Sequence, residues 1–111
     1  MTFQITPSQM EIYRKTARDH EAMLGIQLEE RRHRAWELAR KAAQILKDEF
    51  GASRVVVFGS LIHQELFHSR SDIDLGVWII QGYFRAVSRL MDLDPEIEID
   101  LVPVEDARLE Y

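Results

Sequence analysis

Residues 55–60 read VVVFGS, and this run decides the first half of the fold. Three valines and Phe58 are β-branched or aromatic, which predicts a strand buried on both faces. Glycine then lets the backbone turn sharply, so we expect the strand to end at Gly59 and Ser60. The backbone N–H groups of such a turn, together with the Ser60 hydroxyl, are suited to bind phosphate oxygens.

Residues 71–75 read SDIDL and begin a second predicted strand, which extends from Asp72 to Ile80. Side chains alternate between the two faces of a strand, so Asp72 and Asp74 project side by side from one face. Two adjacent carboxylates are suited to bind divalent cations, because Mg²⁺ prefers hard oxygen ligands and takes few of them from protein. The apolar residues of the run share the other face: Ile73, Leu75, Val77 and Ile79.

The chain after the second strand predicts a short helix and a third strand. Apolar residues recur at helical spacing in residues 82–93, which predicts an amphipathic helix. Residues 96–102 alternate again, and this pattern places Glu98 and Asp100 on one strand face. Either residue is a candidate for a third carboxylate beside Asp72 and Asp74.

A long helical stretch precedes the strands. Thr6 and Gln9 flank Pro7 in a pattern typical of a capping box at a helix start. Residues 35–50 carry a broad apolar stripe at helical spacing, whereas the stripe of residues 10–28 is weaker. Gly25 leaves open whether the stretch forms one helix or two consecutive helices.

The order helix, strand, strand, helix, strand indicates the α/β (α+β) class with one hydrophobic core in 111 residues. We expect residues 1–34 to form an N-terminal helical extension and residues 35–111 to form the domain itself. The extension has more apolar residues than so small a sheet needs for cover. It therefore predicts a homo-oligomer or the docking of a partner through this helix.

Charge and composition argue against several classes of protein. The formal net charge is −5, and non-specific nucleic-acid binding depends on clustered Lys and Arg, so we expect no nucleic-acid partner. A basic group at Arg31, Arg32 and Arg34 is interpreted as part of a mixed-charge helix face. The chain has no cysteine and no apolar run long enough to cross a bilayer, which predicts no membrane partner and a cytoplasmic location.

Taken together, these motifs resemble the minimal nucleotidyltransferases of the DNA polymerase beta superfamily. The mark of that family is Gly-Ser, then Asp-x-Asp, then a third carboxylate on a later strand. It is matched here by Gly59-Ser60, Asp72-Ile73-Asp74 and Ile99-Asp100-Leu101 within residues 35–104. The chain is most similar to the small stand-alone members, including antitoxins paired with HEPN-domain toxins. The resemblance implies the nucleotidyltransferase fold, a small mixed β-sheet flanked by helices.

The resemblance also implies roles for individual residues. Asp72, Asp74 and Asp100 would be the catalytic residues and the ligands of two Mg²⁺ ions. Gly59 and Ser60 would bind the β- and γ-phosphates of a nucleoside triphosphate, with ATP as the substrate.

Three further residues are candidates for nucleotide binding. His63 stands where the family often has arginine, and it is either a phosphate donor or a surface histidine. Arg70 is either a phosphate contact or a loop arginine, and Ser71 lies directly before the first aspartate. Glu98 remains an alternative third ligand, although the strand position of Asp100 matches the family better.

The activity implied by the resemblance is transfer of AMP from ATP to a hydroxyl of a partner. For an antitoxin, the acceptor would be a tyrosine of a HEPN-domain toxin. Two alternatives are a binding module that neutralises a partner by contact and a transferase that acts on a small molecule. The presence of three aspartates favours an enzyme, because clustered carboxylates repel each other unless a cation lies between them.

Overall fold

The structure, a computed structural model, describes residues 4–104. Its long N-terminal helix and small three-stranded mixed sheet confirm the expected mixture of helix and strand. No helix among the described residues is both long enough and apolar enough to cross a membrane. The elements in chain order are α1 (Pro7–Phe50), β1 (Arg54–Phe58), 3₁₀ helices at Gly59–Ile62 and Gln64–Leu66, β2 (Ile73–Trp78), α2 (Tyr83–Met91) and β3 (Ile99–Val104).

Helix α1 begins with the capping box that the sequence predicts. The N–H of Thr6 donates to Oε1 of Gln9 over 2.9 Å, and the N–H of Gln9 donates to Oγ1 of Thr6 over 3.2 Å. Gly25 lies inside α1 and does not end it. The chain divides into two compact units, one ending at Glu30 and the other beginning at Arg31. This division and the predicted one after residue 34 both fall within α1.

The second unit contains the sheet, with strand order β1-β2-β3. Strand β2 is central, pairing antiparallel with β1 and parallel with β3. Its side chains Ile73, Leu75 and Val77 are fully buried. Helix α2 adds Ala86 and Leu90 to the core, while Phe84 of the same helix is 83% exposed. The predicted stripe of α1 supplies the rest of the helical core: Ala35, Leu38, Ala39, Ala42, Ile45, Leu46 and Phe50.

Two predictions about the strands are wrong. Residues 55–57 are half-buried rather than buried on both faces, because β1 lies at an edge of the sheet formed by the described strands. Strand β2 ends at Trp78, and Ile79 does not share its buried face, since Ile79 is 72% exposed. Ile79 has a φ of 52°, a left-handed conformation that takes the backbone out of the strand.

Helix α2 and the outer edge of β3 are joined by a hydrogen bond. The N–H of Ile73 donates to the carbonyl of Glu98. Counting from Glu98, every second residue therefore directs its backbone N–H and carbonyl towards β2. Leu101 and Pro103 therefore direct theirs away from β2. The Tyr83 hydroxyl donates to the carbonyl of Leu101 over 2.6 Å, and this bond satisfies an outward-facing acceptor.

Asp94 holds the loop that leads into β3. Its carboxylate accepts the N–H of Glu96 over 2.8 Å and that of Ile97 over 3.2 Å, and it pairs with Arg34 over 3.0 Å. The N–H of Glu96 is the main cause that lowers the pKa of Asp94 below its ordinary value. The Arg34 guanidinium and the N–H of Ile97 act in the same direction.

Asp94→Ala is expected to lower the free energy of unfolding by about 1–2 kcal/mol, because two backbone N–H groups lose a charged acceptor. Since folding lowers the pKa of Asp94, its contribution is complete above the unfolded pKa of about 4 and is lost as the pH falls through the folded value. Urea unfolding of both proteins at neutral and acidic pH measures this. A stability difference that stays constant on acidification would contradict the role of the charge.

Candidate metal and phosphate site

Asp74 and Asp100 are neighbours across the pairing of β2 with β3. The parallel register aligns Ile73 with Ile99 and Asp74 with Asp100. Neighbouring strands lie about 4.8 Å apart, so these two carboxylates begin from adjacent backbone positions. Asp72 lies one residue before β2 begins, and its negative charge acts on Asp74. The structure thus places Asp74 near each of the other two predicted aspartates.

The electrostatics of the three aspartates agree with the register. The pKa of Asp74 is raised above its ordinary value, first by partial burial, then by the negative charge of Asp100, and then by that of Asp72. Glu98 is not among these charges, and it lies one residue before β3 begins. Register and charge therefore both favour Asp100 over Glu98 as the third carboxylate of the group.

These three carboxylates fit a divalent cation by their chemistry. They offer hard oxygen donors, and a cation between them would relieve the repulsion that raises the pKa of Asp74. Within residues 4–104, no three His, Asp or Glu side chains already have the spacing of metal ligands. Asp72, Asp74 and Asp100 are candidate ligands because of their backbone positions and the effect of their charges on one another.

The turn after β1 lies against this carboxylate group. Phe58 pairs with Asp74 in the antiparallel register. Gly59 follows with a φ of 77°, and a Cβ built on it would collide with Oδ2 of Asp74. The missing side chain of Gly59 therefore makes room for the carboxylate. Gly59 and Ser60 begin the 3₁₀ helix Gly59–Ile62, so the candidate phosphate-binding turn directly adjoins the candidate cation ligands.

The side chains of His63 and Arg70 are exposed in the segment between this turn and β2. The N–H of His63 donates to the carbonyl of Ser60 over 3.1 Å, which closes the 3₁₀ turn. Its Nδ1 lies 3.8 Å from the carboxylate of Glu65. The N–H of Arg70 donates to Nδ1 of His68 over 3.1 Å. Phosphate binding by the side chains of His63 and Arg70 stays a prediction.

Ser71 holds the loop that leads into Asp72. It is 4% exposed, and its hydroxyl accepts the N–H of His68 over 2.9 Å. Its own N–H donates to the carbonyl of His68 over 3.0 Å. The carbonyl of Ser71 accepts a hydrogen bond from Nη2 of Arg31 over 3.0 Å. These contacts fix the backbone just before the first aspartate, and nucleotide binding by Ser71 stays a prediction.

The basic group on α1 differs from the solvated helix face that the sequence suggests. Arg31 and Arg32 are half-buried, and their guanidinium groups donate to backbone carbonyls of other segments. Nη2 of Arg32 lies 3.4 Å from the carbonyl of Leu61, 29 residues away, in the 3₁₀ helix that begins with Gly59 and Ser60. No local pattern indicates such distant partners, so sequence reasoning could not find this role.

A cavity of about 320 Å³ opens beside Asp100. Helix α2 contributes Val87 and Met91 to its wall, and its charged lining residues are all acidic. A larger and more open hollow of about 500 Å³ between α1 and α2 contains none of the predicted site residues. Of these two cavities, the one beside Asp100 adjoins the candidate site. Its full lining is Val87, Met91, Asp94, Pro95, Ile97, Glu98, Ile99 and Asp100.

Comparisons with protein-family models, with curated proteins and with solved structures found no match to this chain.

Proposed function

We propose that this protein is a Mg²⁺-dependent nucleotidyltransferase that transfers a nucleoside monophosphate to a hydroxyl of a partner. The expected donor is ATP. One observation carries the proposal: the Gly59-Ser60 turn lies against Asp74, which is itself aligned with Asp100. Carboxylates alone would suit a cation, and the turn alone would suit an anion. Their direct contact suits a triphosphate that is bound together with its metal ions.

The side chains of this site have separate tasks in such a reaction. Asp72, Asp74 and Asp100 supply the oxygen ligands, while the N–H groups of the Gly59-Ser60 turn and the Ser60 hydroxyl donate to phosphate oxygens. Two bound Mg²⁺ ions would supply charge stabilisation of the attacking and leaving oxygens. In the transfer, the acceptor hydroxyl loses its proton to solvent and its oxygen bonds to the α-phosphorus. The bond from the α-phosphorus to the bridging oxygen breaks, and pyrophosphate leaves.

We propose a protein as the acceptor, such as a tyrosine of a HEPN-domain toxin, with this chain as the antitoxin. The cavity beside Asp100 supports this, because Val87 and Met91 give its wall an apolar part suited to an aromatic side chain. Pairing with a cytoplasmic toxin would place the reaction in the cytoplasm.

The unit of residues 4–30 supports the involvement of a partner or of a second copy of the chain. Several large apolar side chains of this helical segment are exposed to solvent, and such patches are typical of association surfaces. This observation also favours a second candidate function, a module that neutralises its partner by contact alone. The most exposed of these side chains are Ile12, Tyr13, Met23 and Ile26.

Titration calorimetry with a non-hydrolysable ATP analogue tests the proposal. We expect binding in the presence of Mg²⁺, with a dissociation constant in the range of about 1 μM to 1 mM, and loss of binding in EDTA. Incubation with ATP and a HEPN-domain protein should then add the mass of one AMP to that protein. A folded chain that shows no metal-dependent binding would contradict the enzyme and favour the contact module.

A further inference from the structure

We infer that Arg31 is a positioning residue that sets the spacing between the strands that carry the aspartates. Its Nη2 donates to the carbonyl of Ser71 over 3.0 Å and to the carbonyl of Glu96 over 3.4 Å. Ser71 directly precedes Asp72, and Glu96 lies in the loop that leads to Asp100. One guanidinium group on α1 thus joins the segments that begin β2 and β3.

The burial of Arg31 supports a specific role for its guanidinium. The Nε of Arg31 is buried and has no hydrogen-bond partner among the described residues. An unsatisfied buried donor is destabilising, so a residue placed in this way needs a compensating interaction. The Nη2 group supplies one here, because its two N–H bonds reach carbonyls of two different segments at once.

The contacts indicate that Arg31 acts through the backbone rather than through its charge. Its hydrogen-bond acceptors are both main-chain carbonyls. Like charges on neighbouring strands repel, so the carboxylate group needs a restraint that keeps the two strand beginnings together. Arg31 provides that restraint from the side of α1.

Arg32, the next residue of α1, has a parallel contact with the phosphate side of the site. Its Nη2 lies 3.4 Å from the carbonyl of Leu61, which follows Ser60. Its Nε is also buried without a partner among the described residues. Two successive arginines therefore reach the segments that carry the phosphate-binding turn, Asp72 and Asp100.

The test compares Arg31→Met with Arg34→Met as a matched control. Arg34 lies on the same helix and also binds the loop before β3, but its partners are the side chains of Asp94 and Glu96. Mn²⁺ serves as the metal probe, and its binding is measured by electron paramagnetic resonance. We expect Arg31→Met to weaken Mn²⁺ binding by about 10- to 100-fold, the effect of removing a group that orients metal ligands. Arg34→Met should leave Mn²⁺ affinity unchanged.

The Mn²⁺ measurement rests on the proposed function, because it requires the proposed metal site. A second readout does not depend on that function. The backbone amide NMR signals of Asp72, Asp74 and Asp100 should shift in Arg31→Met and remain in place in Arg34→Met. If the unaltered chain binds no Mn²⁺, the proposed function fails, and these signals alone decide the role of Arg31.

Two results would overturn the inference. One is a folded Arg31→Met protein whose amide NMR signals of Asp72, Asp74 and Asp100 do not differ from those of the unaltered chain. Mn²⁺ binding by this variant with the affinity of the unaltered chain would have the same meaning. The other is an equal loss in Arg34→Met, which would show a general effect on stability. If Arg31→Met does not fold, Arg31→Lys decides by the same readouts. Lysine keeps the charge without the planar fork, so we expect a smaller loss of the same kind.

Discussion

Asp74→Asn is expected to abolish metal-dependent nucleotide binding and, at the same time, to stabilise the metal-free protein. We expect this loss because Asp74 lies between the Gly59-Ser60 turn and Asp100, so it is the candidate ligand that both parts of the proposed site share. The affinity for the nucleotide should fall at least about 100-fold. Mutating a residue that only hydrogen-bonds to a metal ligand already lowers metal affinity about 10- to 100-fold, and Asp74 is itself a candidate ligand. The gain in stability follows from removing a negative charge that is partly buried and is repelled by Asp100 and Asp72.

The gain in stability should depend on pH in a defined direction. Folding raises the pKa of Asp74, so the carboxyl favours the folded state below its unfolded pKa of about 4, and this contribution is lost as the pH rises through the folded value. In EDTA, the unaltered chain and Asp74→Asn should therefore have similar midpoints of thermal unfolding at acidic pH. At neutral pH the variant should have the higher midpoint.

Calorimetry with the ATP analogue and thermal unfolding in EDTA measure the two effects of Asp74→Asn. Asp92→Asn is the matched control, because Asp92 is an exposed aspartate at the end of α2. We expect it to leave nucleotide binding unchanged. Nucleotide binding by Asp74→Asn at the level of the unaltered chain would remove this carboxylate from the proposed site.

Gly59→Ala is expected to lose both stability and nucleotide binding. Residue 59 has a φ of 77°, and a left-handed conformation costs a residue with a Cβ about 1–2 kcal/mol. The new methyl group would also collide with the carboxylate of Asp74, so either the turn or the carboxylate must move. Either movement would separate the proposed phosphate-binding turn from the candidate cation ligands.

Gly82→Ala separates the backbone effect from the collision. Gly82 has a φ of 73°, close to that of Gly59, but an added Cβ would meet nothing nearer than the Arg85 side chain at 3.8 Å. Urea unfolding should show that both variants lose stability. Calorimetry should show that only Gly59→Ala loses the ATP analogue. A Gly59→Ala protein that binds the analogue normally would show that the contact between the turn and Asp74 is not needed.

Local patterns predicted the elements that form this site. The capping box at Thr6, the stripe of residues 35–50 and the alternation around Asp72 and Asp74 each follow from periodicity or backbone chemistry over a few residues. The adjacency of Asp100 to Asp74 was expected from the motif, and the register of β2 with β3 confirms it. The chemical use of these residues stays a proposal.

The remaining features depend on contacts between distant parts of the chain. The run of valines in β1 is typical of a central strand, and nothing within the run shows that it would lie at an edge of the sheet. Arg31 and Arg34 look alike in sequence, yet one reaches main-chain carbonyls and the other reaches carboxylates. Their partners lie 40 to 65 residues away, at positions that only the folded sheet defines.

The hydrogen bond from Tyr83 to Leu101 affects how the sheet meets other molecules. An exposed strand edge is a template on which another chain can add a strand, and this is a common route to aggregation. On the outer edge of β3, the carbonyl of Leu101 is already bonded, and Pro103 has no N–H to offer. An incoming strand would find the ladder interrupted at two alternate positions. In the sheet formed by the described strands, this edge is therefore protected against intermolecular β-pairing by a helix side chain and a proline.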